Sequence, residues 1–96
     1  MFCIYNVNVR FDWDNENVGH IARHGITPQE AEQSIMIDPL VAAIQHHADE
    51  DRVLCFGRTA GGRLLTVIYT ERQDAIRVVT AYPMTNPQQA LYFEDK

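Results

Sequence analysis

Long apolar runs are missing from this 96-residue chain. None approaches the ~20 residues that a membrane-spanning helix needs. The first stretch, MFCIYNVNVRFDWD, lacks the basic-then-apolar layout of a signal peptide, which points to the cytoplasm. Cysteine is scarce: Cys3 and Cys55 stand far apart, and in a reducing compartment they read as two buried thiols rather than a disulfide. No glycine-rich phosphate loop is present, and no nucleophile has an evident base beside it. Positive charge is also scarce. Eight Lys and Arg face 13 Asp and Glu, for a net charge of −5 and a pI near 5.2. That balance argues against broad, non-specific nucleic-acid binding, which needs a basic surface. It leaves room for a small basic pocket on an acidic body and suits a basic partner. Repeats, linkers and low-complexity segments are absent, so residues 1–96 read as a single domain with one modest core.

What is present is an ordinary globular composition, 46% apolar and 22% charged. The most informative stretch is FDWDNENVGHIARHGITPQE, Phe11 to Glu30. Asp14 or Asn15 can cap a helix by accepting a hydrogen bond from a free backbone N–H. Val18, Ile21 and Ala22 follow at helical spacing. Gly25 suits the left-handed position past a helix end, with Ile26 packing back on Ile21. Thr27-Pro28-Gln29-Glu30 is a capping box with proline at the first helical position, and it opens a second helix to about Ile37. Ala31, Ser34 and Ile35 give that helix its inner face.

Before this stretch, Met1 to Trp13 alternates in part and reads as one strand or two short ones. After it, Asp38-Pro39 ends the second helix. Leu40 to Gln45 reads as a strand and the polar run His46 to Arg52 as a loop. From Val53 to Tyr82 the pattern is an antiparallel meander: VLCFGRT, a turn at Ala60-Gly61-Gly62, RLLTVIYT, a turn at Arg72–Asp74, then AIRVVTAY. Pro83 ends it. A short helix begins near Asn86-Pro87-Gln88-Gln89 and ends near Phe93, too short to be stable without docking. The fold expected is α+β: a small antiparallel sheet with two N-terminal helices and a short C-terminal one.

His20, Arg23 and His24 fall at i, i+3 and i+4 and so share a helix face. His20 and His24 have the spacing of two metal ligands, but no Glu follows the first as in H-E-x-x-H and no third ligand is evident, so no metal is expected. The cluster reads instead either as a solvated polar face or as a phosphate site with acid–base capacity, since imidazole titrates in the working pH range. In the meander, Arg58 and Arg63 share a face if Gly61-Gly62 forms a two-residue turn that sets Ala60 opposite Arg63. Arg77 joins them only if the Arg72–Asp74 loop has three residues. Arginines paired on a strand face can clamp a phosphate; the alternative is surface pairing with carboxylates. Tyr82 closes the last strand, as a general acid, a stacking platform or a half-buried edge aromatic. His46-His47 and Asp49-Glu50-Asp51 read as solvated loop charge.

Taken in order, F-D-W-D-N-E-N, H-I-A-R-H-G-I-T-P-Q-E-A-E, G-R-T-A-G-G-R-L-L-T-V-I-Y and I-R-V-V-T-A-Y-P-M-T resemble the BrnT family of type II toxins, from Phe11 to about Tyr92. The resemblance implies a RelE-like fold and a ribonuclease that arrests translation without a metal or other cofactor. It also implies a BrnA-like, DNA-binding antitoxin as partner in a hetero-oligomer, with RNA as substrate. Carried onto matching positions, the site candidates are Arg23 and His24, Arg58 and Arg63 around the glycine turn, and Arg77. His24 is the acid–base candidate, and the strand arginines stabilise charge. His20 and Arg23 bind substrate. The chain departs from the family at Thr80-Ala81-Tyr82-Pro83-Met84-Thr85, where the pattern is T-A-R-x-M-T. Tyr82 stands in the arginine's place and joins the candidates. The competing class is a non-catalytic toxin relative that binds an antitoxin-like protein.

Overall fold

A computed structural model describes residues 9–95. Strand β1 (Arg10–Phe11) leads into helices α1 (Asn15–Ala22) and α2 (Pro28–Met36). Strands β2 (Leu40–His47), β3 (Glu50–Arg58), β4 (Leu64–Arg72) and β5 (Ala75–Pro83) follow, and helix α3 (Asn86–Glu94) comes last. The sheet runs β1-β5-β4-β3-β2, antiparallel except where β1 pairs parallel with β5. The α+β expectation holds. The residues before Val9, with Cys3 and most of the expected first strand, lie outside the described part. Among the described residues no helix is long and apolar enough to cross a membrane.

The helix boundaries follow from local chemistry. Asp14 caps α1 by accepting from the N–H groups of Glu16 and Asn17, and Asn17 returns a bond to the Asp14 N–H. At the other end the Ile26 N–H donates to Ile21 O and the Gly25 N–H to Ala22 O, with Gly25 at φ +72. That is the six-to-one and five-to-two pair of a Schellman turn. Thr27 and Glu30 close the α2 capping box, and Thr85 with Gln88 closes that of α3, one residue earlier than Asn86.

Both helical sides of the sheet are covered in part. Ile21, Ile26, Ala31 and Ile35 pack on Leu65, Val67, Val78 and Ala81, with Phe11, Trp13, Tyr69 and Ile76 around them. Burial pushes the Tyr69 phenol up to about 12. Helix α2 lies so close to β3 that a Cβ on Gly57 would fall 1.7 Å from Ser34 O, so only glycine fits there. On the opposite face α3 docks through Tyr92, which packs with Phe56 and Met84 and donates its hydroxyl hydrogen to Asp38 O at 2.7 Å. Leu91 and Phe93 stay exposed. Covering of β4 on both faces explains why Leu64-Leu65 is apolar at both parities, whereas Ile68 lies on the part of the face that α3 leaves open.

One segment departs from expectation. The polar run His46 to Arg52 is no loop: His46 and His47 end β2, Glu50 to Arg52 begin β3, and only Ala48-Asp49 turn the chain. The arm projects into solvent, where backbone pairing does not need an apolar face. Its polar side chains hid the strand from a reading based on apolar alternation.

Candidate functional site

Helix α1 crosses the β5 edge of the sheet, and two devices hold it there. Asn17, buried, donates through Nδ2 to Asp12 O and to Val78 O at 3.1 Å. Arg77 on β5 meets Asp12, Asp14 and Glu16 at 3.5, 3.1 and 3.3 Å, with its side chain only 12% exposed. The guanidinium holds the Asp14 carboxyl below its ordinary value, aided by the Asn17 N–H. In return Asp14 raises Arg77 further. Arg77 is thereby committed to the start of α1.

The end of α1 differs. Arg23 and His24 lie in the turn beyond the last helical residue, both exposed, while His20 is half-buried. The His20 and His24 ring centroids are 6.1 Å apart. His24 in turn lies 6.4 Å from the Tyr82 ring, which reaches up from β5. Residues distant in sequence thus form one row, His20–His24–Tyr82. Tyr82 is held from below. Gln88 Nε2 donates to the Tyr82 hydroxyl oxygen at 3.1 Å, while Gln88 Oε1 accepts from Thr66 Oγ1 at 2.8 Å and from the Thr85 N–H at 3.0 Å. A backbone N–H can only donate, so the orientation of the Gln88 amide is settled by that bond. Tyr82 therefore accepts from Gln88 and keeps its own proton for another acceptor. Gln88 and Thr66 escaped the sequence reading; the capping box at Thr85 is the one signal that could have marked Gln88.

The arginines are dispersed. The turn after β3 has three residues, since the Thr59 N–H donates to Arg63 O and Arg58 pairs with Leu64. Thr59, not Ala60, faces Arg63, so Arg58 and Arg63 do not share a face. The Gln73-Asp74 turn has two residues, with Arg72 opposite Ala75 and Arg77 opposite Thr70. By strand alternation that places Arg77 on the Arg58 face, but six residues of β4, roughly 20 Å, separate their rows. Arg63 turns to the helices. It donates through NH1 to Gly25 O at 2.8 Å and to Glu30 at 3.2 Å, one residue from His24. Glu30 is held below its ordinary value first by the Thr27 N–H and then by Arg63. Arg58, at the end of β3, lies 3.9 Å from Asp38 Oδ2 and is exposed. The structure therefore brings together His20, His24 and Tyr82, sets Arg63 beside their turn and separates Arg58 from them, while Arg77 lines a surface pocket together with His20, Arg52 and Arg72. Among the described residues no group of three His, Cys, Asp or Glu is placed to hold a metal ion.

A row of two imidazoles and one phenol, with a cation at its edge, can take and give protons at a single phosphodiester. Comparison with known proteins is consistent with that chemistry. The family model described as "Ribonuclease toxin, BrnT, of type II toxin-antitoxin system" matches residues 13–87, which span α1, α2, the whole sheet from β2 to β5 and the start of α3. No curated protein matches the chain.

Proposed function

Since the chain belongs to the BrnT family of ribonuclease toxins of type II toxin–antitoxin systems, we propose that it cuts RNA at the His20–His24–Tyr82 row. The observation that carries this is the 6.4 Å approach of His24 to a tyrosine whose hydroxyl oxygen is held by Gln88. Cleavage without a metal needs a base for the 2′-hydroxyl, charge on the phosphorane and an acid for the leaving oxygen. His24 takes the 2′-hydroxyl proton, and the 2′-oxygen bonds to phosphorus. Tyr82 gives its proton to the 5′-oxygen as that P–O bond breaks. Arg23 and Arg63 flank His24 and supply positive charge, and His20 holds the strand. Arg77 and Arg58 serve the frame. In this reading the single-domain protein acts in the cytoplasm, arrests translation and is neutralised by a BrnA-like antitoxin in a hetero-oligomer.

A second reading, a non-catalytic subunit that only binds its antitoxin, is favoured by one observation: Arg63 and Arg77 are both paired with carboxylates of the chain itself. Induced expression separates the two. Wild type should halt growth and fragment RNA, and His24→Ala should do neither while remaining folded. Growth without arrest and intact RNA from folded wild-type protein would leave only the binding subunit.

A further inference from the structure

The sheet face that carries Tyr82 is covered by α3 at one end and open at the other. On the open part Ala43, Gln45, Arg52, Leu54 and Ile68 enclose a cavity of about 240 Å³. Pairing places it on the same sheet face as the proposed cut. Leu54 is opposite Ile68 and Ile68 opposite Thr80, one two-residue step from the row in which Phe56, Thr66 and Tyr82 stand side by side. That step is roughly 7 Å along the strands, with ~5 Å for each strand crossed. Arg52 and Gln45 lie one further two-residue step out, so the selecting groups stand roughly 14 Å along the strands from the Tyr82 row, the reach of a base about two nucleotides from the cut bond.

The lining matches a nucleobase. Ile68 and Leu54 offer an apolar floor for a flat ring, and no carboxylate lines the cavity. The volume lies below that of sites for whole drug-sized ligands, so it suits a ring system rather than an entire nucleotide. The polar groups are Gln45 and Arg52, neighbours across β2 and β3. Arg52 is the less committed of two arginines that share Glu50. Arg72 makes the hydrogen bond, through Nε at 3.2 Å, with its NH2 3.1 Å from the same oxygen. Arg52 Nε stays 3.6 Å from Glu50 and makes no hydrogen bond among the described residues, although it is buried. Its guanidinium can thus turn its terminal N–H groups to a ligand without breaking a hydrogen bond. A guanidinium fork offers donors only, and its best match on a base edge is the paired acceptors O6 and N7 of guanine. The Gln45 amide can bond the same edge or a neighbouring group.

We propose that this cavity is a base-binding subsite that selects a guanine about two nucleotides from the cut bond through Arg52 and Gln45. The inference rests on the ribonuclease reading above, and the test keeps the two apart. Purified wild type, Arg52→Ala, Arg52→Lys and Gln45→Ala, each checked for native circular dichroism, are given one RNA of mixed sequence, and cut positions are mapped. Wild type should cut at a fixed distance of about two nucleotides from guanines. Arg52→Ala should lose roughly tenfold of that preference, as expected for one bidentate base contact, and Arg52→Lys should restore it only in part. In parallel, the four nucleoside monophosphates are titrated into His24→Ala, and amide shifts near Gln45 and Ile68 are followed. Guanosine monophosphate should move them most. A cutting wild type whose pattern is unchanged in folded Arg52→Ala and Gln45→Ala overturns the subsite and leaves the ribonuclease intact. No cutting at all, with guanosine monophosphate still preferred, overturns the ribonuclease and leaves a guanine site. No cutting and no nucleotide preference overturns both.

Discussion

At the start of α1, Arg77 is met by Asp12, Asp14 and Glu16, and buried Asn17 bonds the backbone of β5. At its end, His24 and Arg23 are exposed, and only the backbone of the turn is tied down, by Arg63 on Gly25 O. The charges at the first end are spent inside the chain; at the second, Arg63 pairs with Glu30 but Arg23 faces outward. An arginine on the right strand is therefore not a site arginine by type alone. What matters is whether carboxylates of the same chain already hold it, because a guanidinium shared among three carboxylates has little left for a phosphate.

Substitutions at the two ends should split cleanly between activity and stability. The largest effect belongs to the open end. His24→Gln should lower RNA cleavage roughly 100-fold or more, the usual worth of a positioned acid–base group, with an unchanged melting temperature. A loss of fold instead of activity would place His24 in the frame. Next comes Arg77→Ala, which should cost about 1–2 kcal/mol because it strips charged hydrogen bonds from a largely buried group. Thermal unfolding would read this as a fall of roughly 5–10 °C.

The third prediction concerns pH. Asp14 has its carboxyl lowered in the folded state, chiefly by Arg77. Its contribution is thus fully present above the ordinary carboxyl value of 3.8 and is lost as pH falls through the lower, folded value. The gap in melting temperature between wild type and Asp14→Asn should be open at neutral pH and close in that acid range. A gap that persists there would assign the difference to the helix cap alone. Arg63→Ala should cost less than Arg77→Ala, about 0.5–1 kcal/mol by urea unfolding, since Glu30 is held first by the Thr27 N–H and only then by Arg63. Arg58→Ala should be smallest, under about 0.5 kcal/mol, as expected for an exposed pair at 3.9 Å.

The same contrast runs through what could be read in advance. Asp14, Gly25, Thr27 and Glu30 were legible because each acts on atoms two to five residues away, so their bonds are written in adjacent letters. His46 to Arg52 was misread because an arm in solvent needs no apolar face. The faces of Arg58 and Arg63 depended on one residue in the Ala60–Gly62 turn, and a one-residue change of register flips every side chain beyond it. The irregularity between Ile68 and Tyr69 in the pairing with β5, which leaves Val79 without a partner on β4, carried no signal at all.

By itself, then, the sequence determined the three helices, the caps of the first two, the meander and the family, because those rest on local hydrogen bonding and on residue order. The tertiary structure alone decided that His24 meets Tyr82, that Gln88 holds the tyrosine, and that Arg77 pairs with Asp14. Each of those contacts joins segments brought together by the packing of α1 and α3 on the sheet. A side chain's chemistry there is set by neighbours whose distance in space has no counterpart in the chain.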